Sequence, residues 1–314
     1  MNIDPTITRP ILRYPGSKWR IAPWIHSYIP ESHDTYNEPF VGTASVLLRK
    51  HRSRMENVND ASGDLTNFLI TLRTHETELI RAIEMTYYSQ AEWEIALEPA
   101  DDCVERARRF YVRCYMSIRP FDTSCSFRRQ YILSRGKNGT SSPMTPSARQ
   151  FMRTDHLRDA AARLRGVAIE NMDALEFIQV YDYDRAFFYV DPPYPFHTRA
   201  NRSASAYPID NMAIKDHVHL ARALHDVEGM VIISGYACKL YRRLYENFGW
   251  QRVDRNAPID GGGMAVESLW ISPQTWAALK QEQAGREQAL ESERIEREKQ
   301  KLPLFADQPF LFQT

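Results

Sequence analysis

Four residues carry the clearest chemistry in this chain: Asp191-Pro192-Pro193-Tyr194, which follow the apolar run Ala186-Phe187-Phe188-Tyr189-Val190. Aromatic and β-branched residues in an unbroken run read as a buried strand. Two prolines then end it, because they lack N–H donors and hold the backbone extended. The expected product is a rigid turn at a strand's C-terminal end, presenting a carboxylate, backbone carbonyls and an aromatic ring. In open α/β sheets that edge is where ligands bind. Such a group suits an exocyclic amine on a nucleobase. That amine is a poor nucleophile, since its lone pair is conjugated with the ring. Acceptors on its two hydrogens, here Asp191 and the carbonyl of Pro192, keep electron density on nitrogen as it attacks an electrophile. Tyr194 can stack on the base, an interaction worth about 1–3 kcal/mol. The same four residues also read as a plain strand-terminating turn, and only the rest of the chain separates the two readings.

A second set of residues lies nearer the N-terminus. Arg13-Tyr14-Pro15-Gly16-Ser17-Lys18 precedes Tyr36-Asn37-Glu38-Pro39-Phe40-Val41-Gly42-Thr43-Ala44-Ser45 and the apolar Val46-Leu47-Leu48. The longer segment reads as strand, tight turn and helix. Gly42 allows close backbone approach, and the helix start supplies free N–H groups. Asp60 stands 18 residues past Gly42, in Glu56-Asn57-Val58-Asn59-Asp60. A carboxylate about 20 residues beyond a glycine turn, at the end of the next strand, suits ribose hydroxyls. The three-glycine dinucleotide spacing is absent, and alone the glycine turn is equally an ordinary strand-to-helix connection.

The elements that must position these residues belong to an ordinary globular chain. Its 314 residues allow one large domain or two, with a formal charge of zero and 43% hydrophobic residues. No apolar run reaches the ~18 residues a membrane helix needs. The N-terminus carries charges and prolines where a signal peptide needs an apolar core. Cys103, Cys114, Cys125 and Cys238 form no close pair and no zinc spacing. They are expected as free thiols in a reducing cytoplasm, with no metal.

Taken together, these motifs resemble the Dam-like (D12 class) N6-adenine DNA methyltransferases of phage and prophage type. Tyr14-Pro15-Gly16-Ser17-Lys18 is similar to the family's N-terminal motif, and Glu38-Pro39-Phe40-Val41-Gly42 to its cofactor loop. Asn59-Asp60 matches its ribose-binding acid, and Asp191-Pro192-Pro193-Tyr194 its catalytic motif. Val231-Ile232-Ile233-Ser234-Gly235-Tyr236 and Glu267-Ser268-Leu269-Trp270-Ile271-Ser272-Pro273 resemble later strands of the family. The resemblance runs from about Arg9 to Pro273 and implies an α/β fold. Its core is a Rossmann-like, S-adenosylmethionine-dependent methyltransferase sheet, with an inserted, mostly helical DNA target-recognition domain. The implied divisions are 1–72 (cofactor), 73–165 (recognition), 166–273 (catalytic) and 274–314 (charged helix and apolar tail). Tyr14, Gly16 and Lys18 would contact S-adenosylmethionine, with Lys18 also near the target base. Glu38, Phe40 and Gly42 would line the methionine and sulfonium region, with Asp60 at the ribose. Asp173 falls where the family places an acid near the cofactor's adenine, and it reads equally as the N-cap of a helix over Ala174-Leu175-Glu176-Phe177-Ile178. Asp191, Pro192 and Tyr194 would be catalytic, with Asp191 also among the cofactor-binding residues. No metal is required, since a sulfonium is already activated.

Overall neutrality hides an asymmetry. Residues 100–165 hold 14 lysines and arginines against 6 aspartates and glutamates. The run includes Arg106, Arg108, Arg109, Arg113, Arg119, Arg128, Arg129, Arg135 and Lys137, interleaved with aromatics. Such a stretch suits phosphate contacts and insertion into a duplex. For any single arginine, a solvated helix face is the simpler reading. Arg119, Arg128, Arg129, Arg135, Lys137 and, beyond the catalytic motif, Arg199 are the candidate DNA contacts. Helices are predicted over Val104–Met116 and Thr154–Leu164, and a mobile loop over the Gly-, Ser- and Pro-rich Ser134–Ser147. The expected partner is double-stranded DNA. Rival readings are N4-cytosine methylation, protein glutamine methylation, and a silent DNA-binding protein with a relic cofactor fold.

After Pro273 the composition turns polar, with Glu282/Arg286 and Glu293/Arg297 at i,i+4 spacing, which predicts a solvated helix. The last residues turn apolar again. Gln308, Leu311 and Phe312 stand in the pattern of peptides that bind the bacterial sliding clamp. A tail folded back on its own core is the alternative.

Overall fold

A computed structural model describes residues 6–118, 120–121, 125–129, 133–135, 141–143, 147–195, 198, 212–258 and 264–301. Its strands are β1 (Thr35–Glu38), β2 (Met55–Asn59), β3 (Ser117–Ile118), β4 (Ser126–Phe127), β5 (Leu133–Arg135), β6 (Ser141–Pro143), β7 (Val167–Glu170), β8 (Ala186–Val190), β9 (Met230–Gly235), β10 (Gln251–Pro258) and β11 (Met264–Ile271). The helices are α1 (Ala22–His26), α2 (Ser45–Arg49), α3 (Gly63–Thr74), α4 (Glu76–Glu84), α5 (Gln90–Ile95), α6 (Cys103–Met116), α7 (Ser147–Phe151), α8 (Asp155–Leu164), α9 (Ala174–Tyr181), α10 (Ile214–Asp226), α11 (Lys239–Leu244) and α12 (Pro273–Lys301).

Seven strands form one sheet in the order β10-β11-β9-β8-β1-β2-β7. All neighbours are parallel except β11, which runs antiparallel to both β9 and β10. From β1 the chain winds outward through β2 to β7, then restarts at β8 on the other side of β1. The order therefore reverses between β1 and β8, where an open α/β sheet leaves a crevice beyond its carboxyl edge. All five residues of β8 are buried, which explains its unbroken apolar run. Successive residues serve opposite faces. Phe187 and Tyr189 join Tyr36, Val58, Ile232 and Leu269 in one core, while Phe188 and Val190 join Val231, Ile233 and Trp270 in the other. Gly229 enters β9 where a Cβ would lie 2.5 Å from the Ala186 carbonyl oxygen, so no larger residue fits without moving β8.

Between β2 and β7 the described residues are mostly helical. The predicted helices appear as α6 and α8. Asp102 caps α6 by accepting from the Glu105 N–H, and its apolar face carries Ala107, Phe110, Tyr111 and Cys114. These helices close no core of their own: Leu79, Ile83, Phe110, Tyr111 and Leu157 belong to the same buried cluster as Tyr36 and Val58. Segment 73–165 is thus continuous with the packing of the sheet. The stretch expected as a loop, Ser134–Ser147, contains strand: β5 pairs antiparallel with β6, Arg135 opposite Ser141. Composition alone does not separate loop from short strand here, because hairpins and loops draw on the same turn residues. The four cysteines are unpaired. The charged region after Pro273 is α12, whose first turns rest Trp276, Ala278 and Leu279 on the core before the helix becomes exposed.

Candidate active site

The two sequence motifs meet at the crevice. Glu38 closes β1, and Asp191 follows directly on β8, its neighbour. The N-terminal motif reaches the same place through Lys18. Its ammonium lies 2.8 Å from Asp191 Oδ2, with the side chains 10% and 18% exposed, and donates to the Gly16 carbonyl at 3.0 Å. Gly16 has φ +76°, a left-handed conformation that glycine adopts without strain. The other oxygen of Asp191 is also held. Ser234 Oγ, on β9 beside β8, donates to Oδ1 at 2.7 Å and itself accepts from the buried Tyr189 hydroxyl at 3.1 Å. Asp191 is thus clamped between a cation and a hydroxyl chain anchored in the core.

Tyr194 stands over this pair. The Lys18 ammonium lies 4.8 Å from its ring centre, and the Tyr236 ring meets it edge-on at 4.9 Å and 76°. Its hydroxyl donates to Glu267 Oε1, which lies 3.9 Å from the Lys18 ammonium. Burial, with Asp191 and Glu267 beside it, pushes the Tyr194 phenol well above its ordinary range. For Lys18, burial pulls the pKa down, but Asp191 and Glu267 outweigh it and hold the ammonium above its usual value. Glu267 moves up: burial dominates over the opposing Lys18 charge and Tyr194 hydrogen bond.

The loop that follows β1 is held by β1 and β2 together. Gly42, with φ +49°, donates its N–H to Asp60 Oδ2 at 3.0 Å, and Ser62 N–H reaches Oδ1 at 2.9 Å. Asn59 straps the three strand ends, donating to the carbonyls of Pro39 (3.0 Å) and Met172 (3.1 Å). Asp173 caps α9 by accepting from the N–H groups of Leu175 and Glu176, and it is exposed. Glu38 is 1% exposed and accepts from the Tyr36 hydroxyl; burial pushes its carboxyl up to about 8, against that hydrogen bond and the Lys50 charge. Phe40 packs on the second core. Tyr14 is half-buried against Phe121 (5.3 Å) and Phe110 (6.3 Å), linking the N-terminal motif to α6. Three carboxyl groups thus tip three successive strands, and Gly42 leaves open space where a Cβ would stand. That donor set fits an adenosine carrying a cationic sulfonium.

The basic block divides. Arg106 and Arg113 both pair with Asp64 of α3, at 2.7 and 2.6 Å. Arg108 pairs with Glu105 and Glu92, and Arg109 with Glu105 and the carbonyls of Glu98 and Pro99. These four arginines hold α6 to its neighbours, a role their spacing did not reveal because their partners lie up to 49 residues away. Arg128 Nε donates to the Ser117 carbonyl, and the exposed Arg129 to Gln90 Oε1. Arg135 is described in its backbone alone, and Arg119, Lys137, Arg199, Gln308, Leu311 and Phe312 lie outside the described residues. Sequence reading missed Glu267, Ser234, Tyr189 and Tyr236 as site residues. The available signal was a single acid, Glu267, heading the run Leu269-Trp270-Ile271.

A doubly wound sheet in this order, with acids tipping β1 and β2 and a prolyl turn after β8, is a Rossmann-like methyltransferase fold. The chain belongs to the D12 class of N6 adenine-specific DNA methyltransferases, whose family pattern matches residues 14–259. It is 24% identical over 257 residues to a DNA adenine methylase of Haemophilus influenzae, an alignment covering 78% of this chain and 85% of that protein. A precorrin-8w decarboxylase structure from Methanobacterium thermoautotrophicum overlays 87% of this chain and 99% of its own at 11% identity. Its TM-score is 0.34, and that likeness bears no weight. The family makes this protein an adenine-specific DNA methyltransferase that uses S-adenosylmethionine. No helix among the described residues is long and apolar enough to cross a membrane.

Proposed function

We propose that this enzyme methylates N6 of an adenine turned out of double-stranded DNA, at a fixed sequence, using Asp191, Pro192 and Tyr194. One observation carries this reading: the Asp191 carboxylate is recessed in the crevice and held at both oxygens, by Lys18 and by Ser234. An amine still paired inside a duplex cannot reach so recessed an acceptor. Extrusion of the base costs a few kcal/mol, and stacking on Tyr194 offsets part of it.

S-adenosylmethionine, when bound, supplies a methyl group on a sulfonium. Glu38, Phe40, Gly42, Asp60 and Asp173 would hold it, with Tyr14, Gly16 and Lys18 at its methionine end. Asp191 and the Pro192 carbonyl would accept the two N6 hydrogens and so keep electron density on the nitrogen to be methylated. The cofactor would give up its methyl group to that nitrogen and leave as a neutral thioether, its sulfur keeping the electrons of the broken C–S bond. N6 then loses one proton, to water or by way of Asp191. Positioning supplies most of the acceleration.

Arg128 and Arg129 remain candidates for DNA contact, together with Arg119, Arg135, Lys137 and Arg199. The Gln308, Leu311 and Phe312 pattern is proposed as a sliding-clamp tether on sequence grounds alone. Clamp capture that survives Leu311→Ala with Phe312→Ala removes that idea.

The test is long-read sequencing of DNA from a methylation-deficient host expressing the chain, with Asp191→Ala as control. N6-methyladenine in one motif, absent from the control, is expected. Methyl groups on cytosine N4 instead, or none, would overturn the reading.

A further inference from the structure

Glu267 is the one carboxylate of the site that neither tips a cofactor-side strand nor follows β8. It heads the buried part of β11, one residue beyond the pairing of Ser268 with Gly235, and is 5% exposed. It touches the two groups that touch Asp191's neighbourhood: the Tyr194 hydroxyl, and at 3.9 Å the Lys18 ammonium. Burying a carboxylate is costly unless it is paired and hydrogen-bonded. Here the partners are site residues, not scaffold.

The geometry poses a problem that Glu267 answers. Asp191 must accept a hydrogen from the substrate amine. Ser234 already donates to its Oδ1 and the Lys18 ammonium lies 2.8 Å from its Oδ2, so the amine must compete with a cation or share an oxygen with it. A lysine displaced from Asp191 and left with the neutral Gly16 carbonyl alone would be a buried, uncompensated cation. Glu267 supplies the second negative charge. A shift of about 1 Å brings the ammonium from 3.9 Å to hydrogen-bond distance of Glu267. The carboxylate has lone pairs enough to take it while keeping the Tyr194 hydroxyl.

We propose that Glu267 is a positioning residue: it fixes the Tyr194 ring through the phenol and receives Lys18 when the substrate amine claims Asp191. The inference rests on the adenine N6 reading of the same site. Its negative charge is what receives Lys18, while either a carboxylate or an amide oxygen can accept the phenol. Glu267→Gln therefore separates the two roles, and Tyr194→Phe removes only the phenol contact. The titratable groups facing Glu267 are Lys18, Asp191, Tyr194, Tyr236 and Tyr189.

The experiment is steady-state methylation of unmodified DNA by the full chain, with kcat and KM measured across pH 5 to 9 and melting curves as the folding control. Glu267→Gln should lower kcat at least tenfold while leaving KM for S-adenosylmethionine within twofold. It should also lose the acid-side fall in kcat that protonation of Glu267 gives the wild type. Tyr194→Phe should raise KM for DNA more than it lowers kcat, and its effect should combine with Glu267→Gln less than multiplicatively. A folded Glu267→Gln with wild-type kcat and pH profile overturns the inference alone. Wild-type enzyme that labels no adenine overturns the underlying reading and this inference together.

Discussion

Replacing Glu38 by Gln isolates the titration of one buried acid. Glu38 is 1% exposed, and burial holds its carboxyl at about 8 against an ordinary 4.5. The folded protein therefore binds a proton there that the unfolded chain releases above pH 4.5. Stability from this group is complete below about 4.5 and is lost as the pH climbs through about 8. The gap corresponds to roughly 5 kcal/mol in full, of which roughly 2–3 kcal/mol is lost between pH 6 and 9. Gln is neutral, of similar shape, and still accepts the Tyr36 hydroxyl. Denaturant midpoints should thus fall with rising pH in the wild type and fall less in Glu38→Gln. Subtracting the two curves removes every other titrating group. Parallel curves between pH 6 and 9 would refute the assignment of a raised pKa to Glu38.

Three further outcomes follow from the same geometry. A sulfonium near Glu38 favours its ionised form, so at pH 7.5 S-adenosylmethionine should release more protons on binding than the uncharged thioether product; calorimetry in buffers of different ionisation heat reads this, and equal release separates Glu38 from the sulfonium. Ser234→Ala leaves Asp191 Oδ1 without its donor, a charge-assisted bond worth about 1.5–3 kcal/mol. It should cut kcat about tenfold or more with cofactor affinity unchanged, and full activity would discount the hydroxyl chain. Asp64→Ala strips Arg106 and Arg113 of their shared partner, and with both pairs partly exposed it should cost about 1–2 kcal/mol. A melting point equal to wild type would mean those two pairs do not hold α6 to α3.

The strands were legible where one residue type ran unbroken. Ala186–Val190 was readable to the residue because both of its faces are buried. The helices α6 and α8 were readable from spacing, and Asp173 was correctly open to a capping role. The grouping of the two motifs was also legible, since Glu38 and Asp191 end neighbouring strands and Lys18 lies against Asp191. What spacing conceals is pairing across the fold. Glu267 meets Tyr194 over 73 residues, and Ser234 meets Asp191 over 43. The arginines of α6 look basic in sequence because Asp64 and Glu92 lie outside their segment. Loop composition, likewise, did not reveal the short antiparallel pairing of β5 with β6.

Asp60, Ser62 and Asp64 are alternate residues leading into the first turn of α3. The first takes the Gly42 N–H, the second caps the helix, and the third grips Arg106 and Arg113. The short stretch from Asp60 to Asp64 therefore joins the Gly42 turn to α6. Coupling free energies between two sites are reciprocal. Were a ligand at Asp60 to order this stretch and so shift α6, a ligand drawing on α6 would shift affinity at Asp60 by the same factor.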